Sequence, residues 1–349
     1  MVQKPRSGPG RYRLKNQRQE DFERQGSKTN EIGRWMRLLV VGAGASYSEG
    51  ERAGLPEELR PPLIKDFAKR LWSDYNPQYL LNSYLTEQGY APGEDPRDLF
   101  FELESSETSK VNDERFFEFA WVNQNIFPGE WENLLYHGIL NPLIFLLSQG
   151  LWAKGLLESP MPTAQFVAKH LQSGDAVINL NYETIFEIGA TQVGHELLFL
   201  PNKPSTSKLL ISKPHGSINL VVDTAKQQFV FGELDGPGSP QPADGSRNYR
   251  GFVPPRLNKS YNQHPVASAI LQATRTLTPH ILTFWGVGLT DSDKDLLDLY
   301  KMWAQKAKKV EFINPSTTAV EGAQELLGVK VSHFLTVELW ETDIGGKKS

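Results

Sequence analysis

Two side chains in this sequence have the chemistry and the setting to act on a bound molecule. Asn181 follows the apolar run Ala176–Leu180, and His215 follows the apolar run Leu209–Ser212 within KPHGS. A neutral amide donates and accepts at once, so it can orient a hydroxyl or a water. An imidazole, with an unperturbed pKa of about 6.5, can take a proton at neutral pH. Each also has a plain structural use. Asn181 can cap a helix beginning near Thr184, and His215 can be held as a turn histidine. Three further polar stretches sit just after apolar runs. Gly42-Ala43-Gly44-Ala45-Ser46 follows Leu38–Val41, GVGLTDSD (residues 286–293) follows Ile281–Trp285, and Asn314-Pro315 follows Val310–Ile313. Small residues after a strand let backbone N–H groups approach a phosphate with no Cβ in the way. Tyr47 stands where the third glycine of a dinucleotide fingerprint would fall. The stretch therefore reads either as a nucleotide loop or as a tight strand-to-helix turn.

Other chemistries are excluded or lack support. The chain has no cysteine, which rules out a disulfide framework, a zinc ribbon and a thiol nucleophile. Neither Ser46 nor Ser217 lies in a G-x-S-x-G elbow. His195 and Glu196 lack a second ligand pair at useful spacing, so no metal is expected. The net charge of −4 argues against a global nucleic-acid-binding field, and any direct nucleic-acid contact stays open. No apolar run reaches the ~18–20 residues of a membrane span, and the polar, basic N-terminus lacks a secretory core, so a cytoplasmic protein is expected.

The elements that must position these residues follow from the pattern. Hydrophobic residues are 39% and charged residues 22%, which is ordinary for a globular chain able to bury a sizeable core. Short apolar strands alternate with helical segments, which predicts an α/β fold with a parallel sheet. In such sheets ligands sit outside the carboxyl ends of the strands, where all five polar stretches fall. A helix is expected from about Ser292, with Leu296, Tyr300, Trp303 and Ala307 on its apolar face. Residues 1–33 read as a basic, disordered tail, residues 34–349 as one domain, and about 57–172 as a helical insertion. The insertion is dense in Phe100, Phe116, Phe117, Trp121 and Trp131, which can serve as core or anchor an interface. His137 reads as a packing histidine among them. Residues 232–255, rich in Gly and Pro, read as a long irregular loop.

Taken in order, GAGAS, NYE, HGS, GVGLTDSD and INP resemble the SIR2-like (sirtuin-related) NAD-binding domain, from about Trp35 to the C-terminus. The resemblance implies a Rossmann-like fold with NAD+ as the bound molecule. It implies that Gly42, Ala43, Gly44 and Ser46 cradle the pyrophosphate, and that Asn181 holds the nicotinamide ribose or the attacking water. His215 would be the catalytic histidine. Gly286, Gly288 and Thr290 would line the far side of the dinucleotide, and Asn314 would contact the adenosine ribose. Classical deacylases of the family carry a four-cysteine zinc module, which this chain lacks. The likeness is closer to bacterial SIR2-like effectors of anti-phage defence that hydrolyse NAD+. That implies an NAD+ glycohydrolase and an activating partner such as a HerA-like ATPase or a short Argonaute. The aromatic-dense insertion and the basic tail add the expectation of a homo-oligomer or a complex with a partner protein. The alternatives are a domain that binds NAD or ADP-ribose as a sensor or assembly subunit without consuming it, and a protein deacylase.

Overall fold

The computed structural model describes residues 12–13, 35–64, 67–72, 75–106, 108–153, 161–223, 228–232 and 252–345. Ten strands occur among them: β1 Tyr12–Arg13, β2 Arg37–Val41, β3 Ala176–Asn179, β4 Leu197–Phe199, β5 Leu209–Ser212, β6 Leu220–Asp223, β7 Gln228–Phe231, β8 Ile281–Trp285, β9 Lys309–Ile313 and β10 Ser332–Phe334. Seven form one parallel sheet in the order β10-β9-β8-β2-β3-β5-β4. The other three form a small antiparallel sheet, β1-β7-β6.

Side chains alternate faces along a strand, and both faces of this sheet are covered. Leu38 and Val40 of β2 join Ile178, Phe284 and Phe312 in one core layer, whereas Leu39 and Val41 join Val177, Ile211 and Trp285 in the other. The first layer packs on α10 (Pro265–Thr274), α11 (Lys294–Ala304) and α12 (Thr317–Leu327). The second packs on α1 (Ala43–Arg52), α8 (Pro162–Ala168), α9 (Ile185–Gln192) and α13 (Val337–Gly345). The fold is a doubly covered, Rossmann-like α/β sheet.

Between β2 and α8 the chain builds a helical module: α2 (Phe67–Leu71), α3 (Gln78–Glu87), α4 (Pro96–Glu104), α5 (Asp113–Val122), α6 (Glu130–Leu135) and α7 (Asn141–Gln149). Most of its aromatics are core. Trp72, Phe100, Phe116 and Phe117 are fully buried and pack on one another with ring centroids 5.3–6.1 Å apart. Trp131 is buried with them.

Some expectations change. The two edge strands β4 and β10, three residues each, are not among the expected strands, although β4 lies in the short apolar run Leu197–Leu200. Ala307 lies beyond the end of α11. His137 is exposed rather than enclosed, with its ring stacked on Tyr75 at 6.1 Å. The expected tail lies outside the described residues except for Tyr12–Arg13, which pairs with β7 as a strand. Most of the expected long loop, 233–251, also lies outside them.

Candidate functional site

The chain leaves β2 for β3, β4 and β5 on one side, then returns to lay β8, β9 and β10 on the other. The reversal opens a crevice at the carboxyl ends of β2 and β8, the usual ligand position in such sheets. A cavity of about 890 Å³ lies there, walled by the loops after β2, β3, β5, β8 and β9 and roofed by Leu63, Phe67 and Leu143 of the module side. That is near the top of the ~300–1,000 Å³ range of small-molecule sites.

Glycines let the two central loops meet backbone to backbone. A Cβ on Gly42 would lie 2.6 Å from the Gly286 carbonyl oxygen. Gly286 has φ +62°, and a Cβ there would lie 2.1 Å from the Ala45 nitrogen. The Gly42 N–H donates to Trp285 O and the Gly44 N–H to Gly286 O, both at 3.0 Å. Those two donors are thus committed to the protein, as is the Ala45 N–H, which donates to Gly42 O, so the Ala43 and Ser46 N–H groups are the first-turn donors of α1 without a backbone acceptor among the described residues. Gly288 differs: a Cβ there would meet nothing within 4 Å.

Asn181 is held from three sides. Its backbone N–H donates to Asn179 Oδ1 (3.0 Å), and its amide nitrogen donates to Gly42 O (3.1 Å) and Ser46 Oγ (2.9 Å). A carbonyl can only accept, so the amide's NH₂ end is fixed toward Gly42 and its Oδ1 points the other way. That oxygen accepts no bond among the described residues. Ser46 in turn donates to Glu183 Oε1 at 2.5 Å, and Glu183 Oε2 accepts from the Ile185 N–H at 2.6 Å. Glu183, not Asn181, therefore secures the start of α9, and Ser46 orients Asn181 instead of reaching for a phosphate. Burial pushes the Glu183 carboxyl above its ordinary value, against the pull of the Lys213 ammonium. Lys213, fully buried, donates to Glu183 O (2.6 Å) and Glu187 Oε1 (3.1 Å), and Asn179 donates to the same Glu187 carboxylate.

His215 is gripped at both ring nitrogens. Nδ1 lies 3.1 Å from Leu180 O and Nε2 lies 2.8 Å from Asp293 Oδ2. Both partners are oxygens that accept, so the ring is engaged on each side and neither nitrogen is free for a ligand in this arrangement. Asp293 also accepts from Tyr261 OH at 2.9 Å and, through Oδ1, from the Leu296 N–H as the N-cap of α11. Burial would raise the Asp293 carboxyl, but the bond and charge of His215, then Lys259 and Tyr261, outweigh it and hold Asp293 below its ordinary value. Lys259 lines the same cavity and is 7% exposed.

Of the remaining expected residues, Asn314 closes an Asx turn, accepting from Ser316 N at 2.9 Å while donating to Val287 O at 3.2 Å. Thr290 is exposed and shares a bond with Ser292 at 2.6 Å. Both line the cavity. Ser217 is held within its turn, donating to Asn219 Oδ1 at 2.6 Å. The sequence reading missed Asp293, Tyr261 and Lys259 as site residues. Asp293 was legible as a helix N-cap, but nothing in the sequence brings it to His215, 78 residues away. Neither the scan against protein-family models nor the search of curated proteins returns a match. No group of three His, Asp or Glu suited to a metal occurs among the described residues, and no helix among them is long and apolar enough to cross a membrane.

Proposed function

We propose that the cavity binds NAD+ and that the chain is an NAD+ glycohydrolase, releasing nicotinamide and ADP-ribose. The observation that carries this reading is the convergence of Asn181 and His215 at the carboxyl ends of adjacent strands, β3 and β5, on a cavity at the sheet's switch point. The bond from ribose to nicotinamide has a cationic leaving group that departs neutral, so it needs no general acid. Positive charge grows on the ribose instead. The fixed Oδ1 of Asn181 suits an acceptor for a ribose hydroxyl or the attacking water. The head of α1, with the Ala43 N–H, suits a phosphate.

His215 Nε2 is engaged by Asp293 Oδ2 at 2.8 Å and is not free to meet a substrate or water while that contact holds. That supports an enzyme silent until the turn carrying Asp293 moves, as a triggered effector of anti-phage defence must be. The same observation favours a second reading, a domain that binds the nucleotide without consuming it. Incubation with NAD+, alone and with an activating partner, followed by quantification of nicotinamide and ADP-ribose, separates the two. Turnover that Asn181→Ala and His215→Ala each reduce by about 10²–10⁴ supports the enzyme. Binding with intact NAD+ recovered in every condition supports the sensor and sinks the enzyme. Assembly into an oligomer would draw on the large side chains the module leaves exposed, Tyr79, Val122, Ile126 and Phe145, because most of its other aromatics are already core.

A further inference from the structure

One ammonium in the cavity has no hydrogen-bond partner among the described residues. Lys259 lies beside the turn that carries Asp293, with its backbone N–H on Ser292 O at 3.1 Å. Its side chain is more than nine-tenths buried and lines the cavity, and its ammonium makes no ion pair or hydrogen bond among the described residues. The nearby carboxylates are engaged elsewhere. Asp293 Oδ2 takes His215 and Tyr261, and Glu114, on the same wall, takes Ser292 Oγ at 3.3 Å. The Asp293 carboxylate feels the Lys259 charge but spends its bonds on His215, Tyr261 and the Leu296 N–H, so the ammonium is left without a hydrogen-bond acceptor among the described residues.

An ammonium only donates, and this one, on a buried residue, is open to the cavity with no protein acceptor. The group that would complete it is an anionic oxygen brought by a ligand. Its place narrows the choice. Lys259 is close enough to Asp293 for its charge to act on that carboxylate, and Asp293 touches His215. It therefore stands at the His215 end of the cavity and not at the Asn314 end.

We propose that Lys259 binds the phosphate attached to the ribose that faces His215 and Asn181, the phosphate of the nicotinamide mononucleotide half. This rests on the nucleotide reading above. The contact is a charge-assisted hydrogen bond, and its loss weakens binding by about ten- to a hundredfold.

The test uses the whole chain and its Lys259→Met and Lys259→Arg variants, with calorimetry of three probes. These are nicotinamide mononucleotide, nicotinamide riboside without the phosphate, and AMP with the other phosphate. Lys259→Met should lose affinity for the mononucleotide alone, and Lys259→Arg should recover part of it. The ligand-free melting temperature of Lys259→Met should stay near that of the wild type, because the ammonium makes no hydrogen bond in the folded protein. A merely structural lysine would lower it. If the methionine variant does not fold, Lys259→Gln asks the same question. An equal loss for the riboside, a loss for AMP alone, or no loss for the mononucleotide overturns the assignment and leaves the nucleotide reading standing. Wild-type protein that binds none of the three probes overturns both.

Discussion

At the scale of single residues, the glycines separate two roles that look alike in sequence. Gly286 sits at φ +62°, and its missing Cβ is space taken by the Ala45 nitrogen at 2.1 Å. Gly288, two positions on, faces open volume on the cavity wall. Gly286→Ala should destabilise the fold by at least about 1–3 kcal/mol, from backbone strain alone, and more from the clash. Gly288→Leu should leave the melting temperature unchanged and abolish NAD+ binding by filling the site. Thermal melts with and without NAD+ check both. A Gly288→Leu protein that binds as well as wild type would place the ligand elsewhere. Asn181 gives a related contrast. Asn181→Asp sets a carboxylate oxygen against the Gly42 carbonyl, where the NH₂ now donates at 3.1 Å. It should cost about 1–3 kcal/mol more than a substitution that leaves no charge, such as Asn181→Ala. Denaturant melts of the two variants measure the difference. The motif residues were legible one by one, yet their partners were not. The glycines could be read as a phosphate loop or a turn, and two of their N–H groups serve the turn. Ser46 could be read as a phosphate ligand, and it instead passes the hold of Glu183 to Asn181. Both outcomes depend on contacts from strands far along the chain, which no local pattern encodes.

At the scale of elements, the five central strands were legible because each is buried on both faces and reads as a short, mostly apolar run. Their one buried charge was not read at all. Glu311 sits fully buried on β9, where its Oε2 accepts from Arg37 Nη1 at 2.5 Å, Thr283 Oγ1 at 2.7 Å and Trp340 Nε1 at 3.0 Å, and its Oε1 pairs with Lys309. The network ties β2, β8, β9 and α13 together. Burial alone would raise the Glu311 carboxyl, but the Arg37 charge and the bonds from Lys309, Thr283 and Trp340 bring it down from 4.5 to about 2. A carboxyl depressed in the folded state contributes stability above its unfolded value and loses it as pH falls. The unfolded chain takes the proton near 4.5 and the folded chain only near 2. Stability on the order of 3 kcal/mol should therefore vanish across that window. Denaturant melts between pH 5 and pH 2, compared with Glu311→Gln, check it, and the variant should be less stable at neutral pH but flatter in acid. An unchanged slope in the variant would assign the acid loss to other carboxylates.

At the scale of the whole molecule, the helical module carries its own aromatic core, so what matters is how it is fixed to the sheet. α5 makes the joint. Glu118 accepts from the Asn258 N–H at 3.2 Å, Glu114 accepts from Ser292, and Trp121 donates to Gln263 Oε1 at 3.0 Å while its ring stacks on His264 at 4.7 Å. These contacts hold the two segments that present Lys259 and Asp293 to the cavity, so the joint bears on the site as well as on the fold. His264 is the part that responds to pH. Burial first, then the charge of neighbouring Arg256, lowers its pKa from 6.5 to about 4. The ring is buried neutral, and Arg256 Nη2 lies 3.2 Å from its Nε2. Below pH 6.5 the unfolded chain binds a proton there that the folded chain refuses until about 4. The sign is therefore a loss of stability as pH falls through that interval, on the order of 3 kcal/mol in full. It precedes the Glu311 window and overlaps it only near pH 4. His264→Gln keeps an acceptor for Arg256 and cannot titrate, so its stability should stay level from pH 6.5 to about 4.5, where wild type declines. Hydrogen exchange should show where the loss is felt. In wild type, α5 should lose protection across that interval before β2 and β8 do, because the joint loosens while the sheet core is intact. If α5 and the central strands lose protection together, the module and the sheet unfold as one body and His264 is not its weak point.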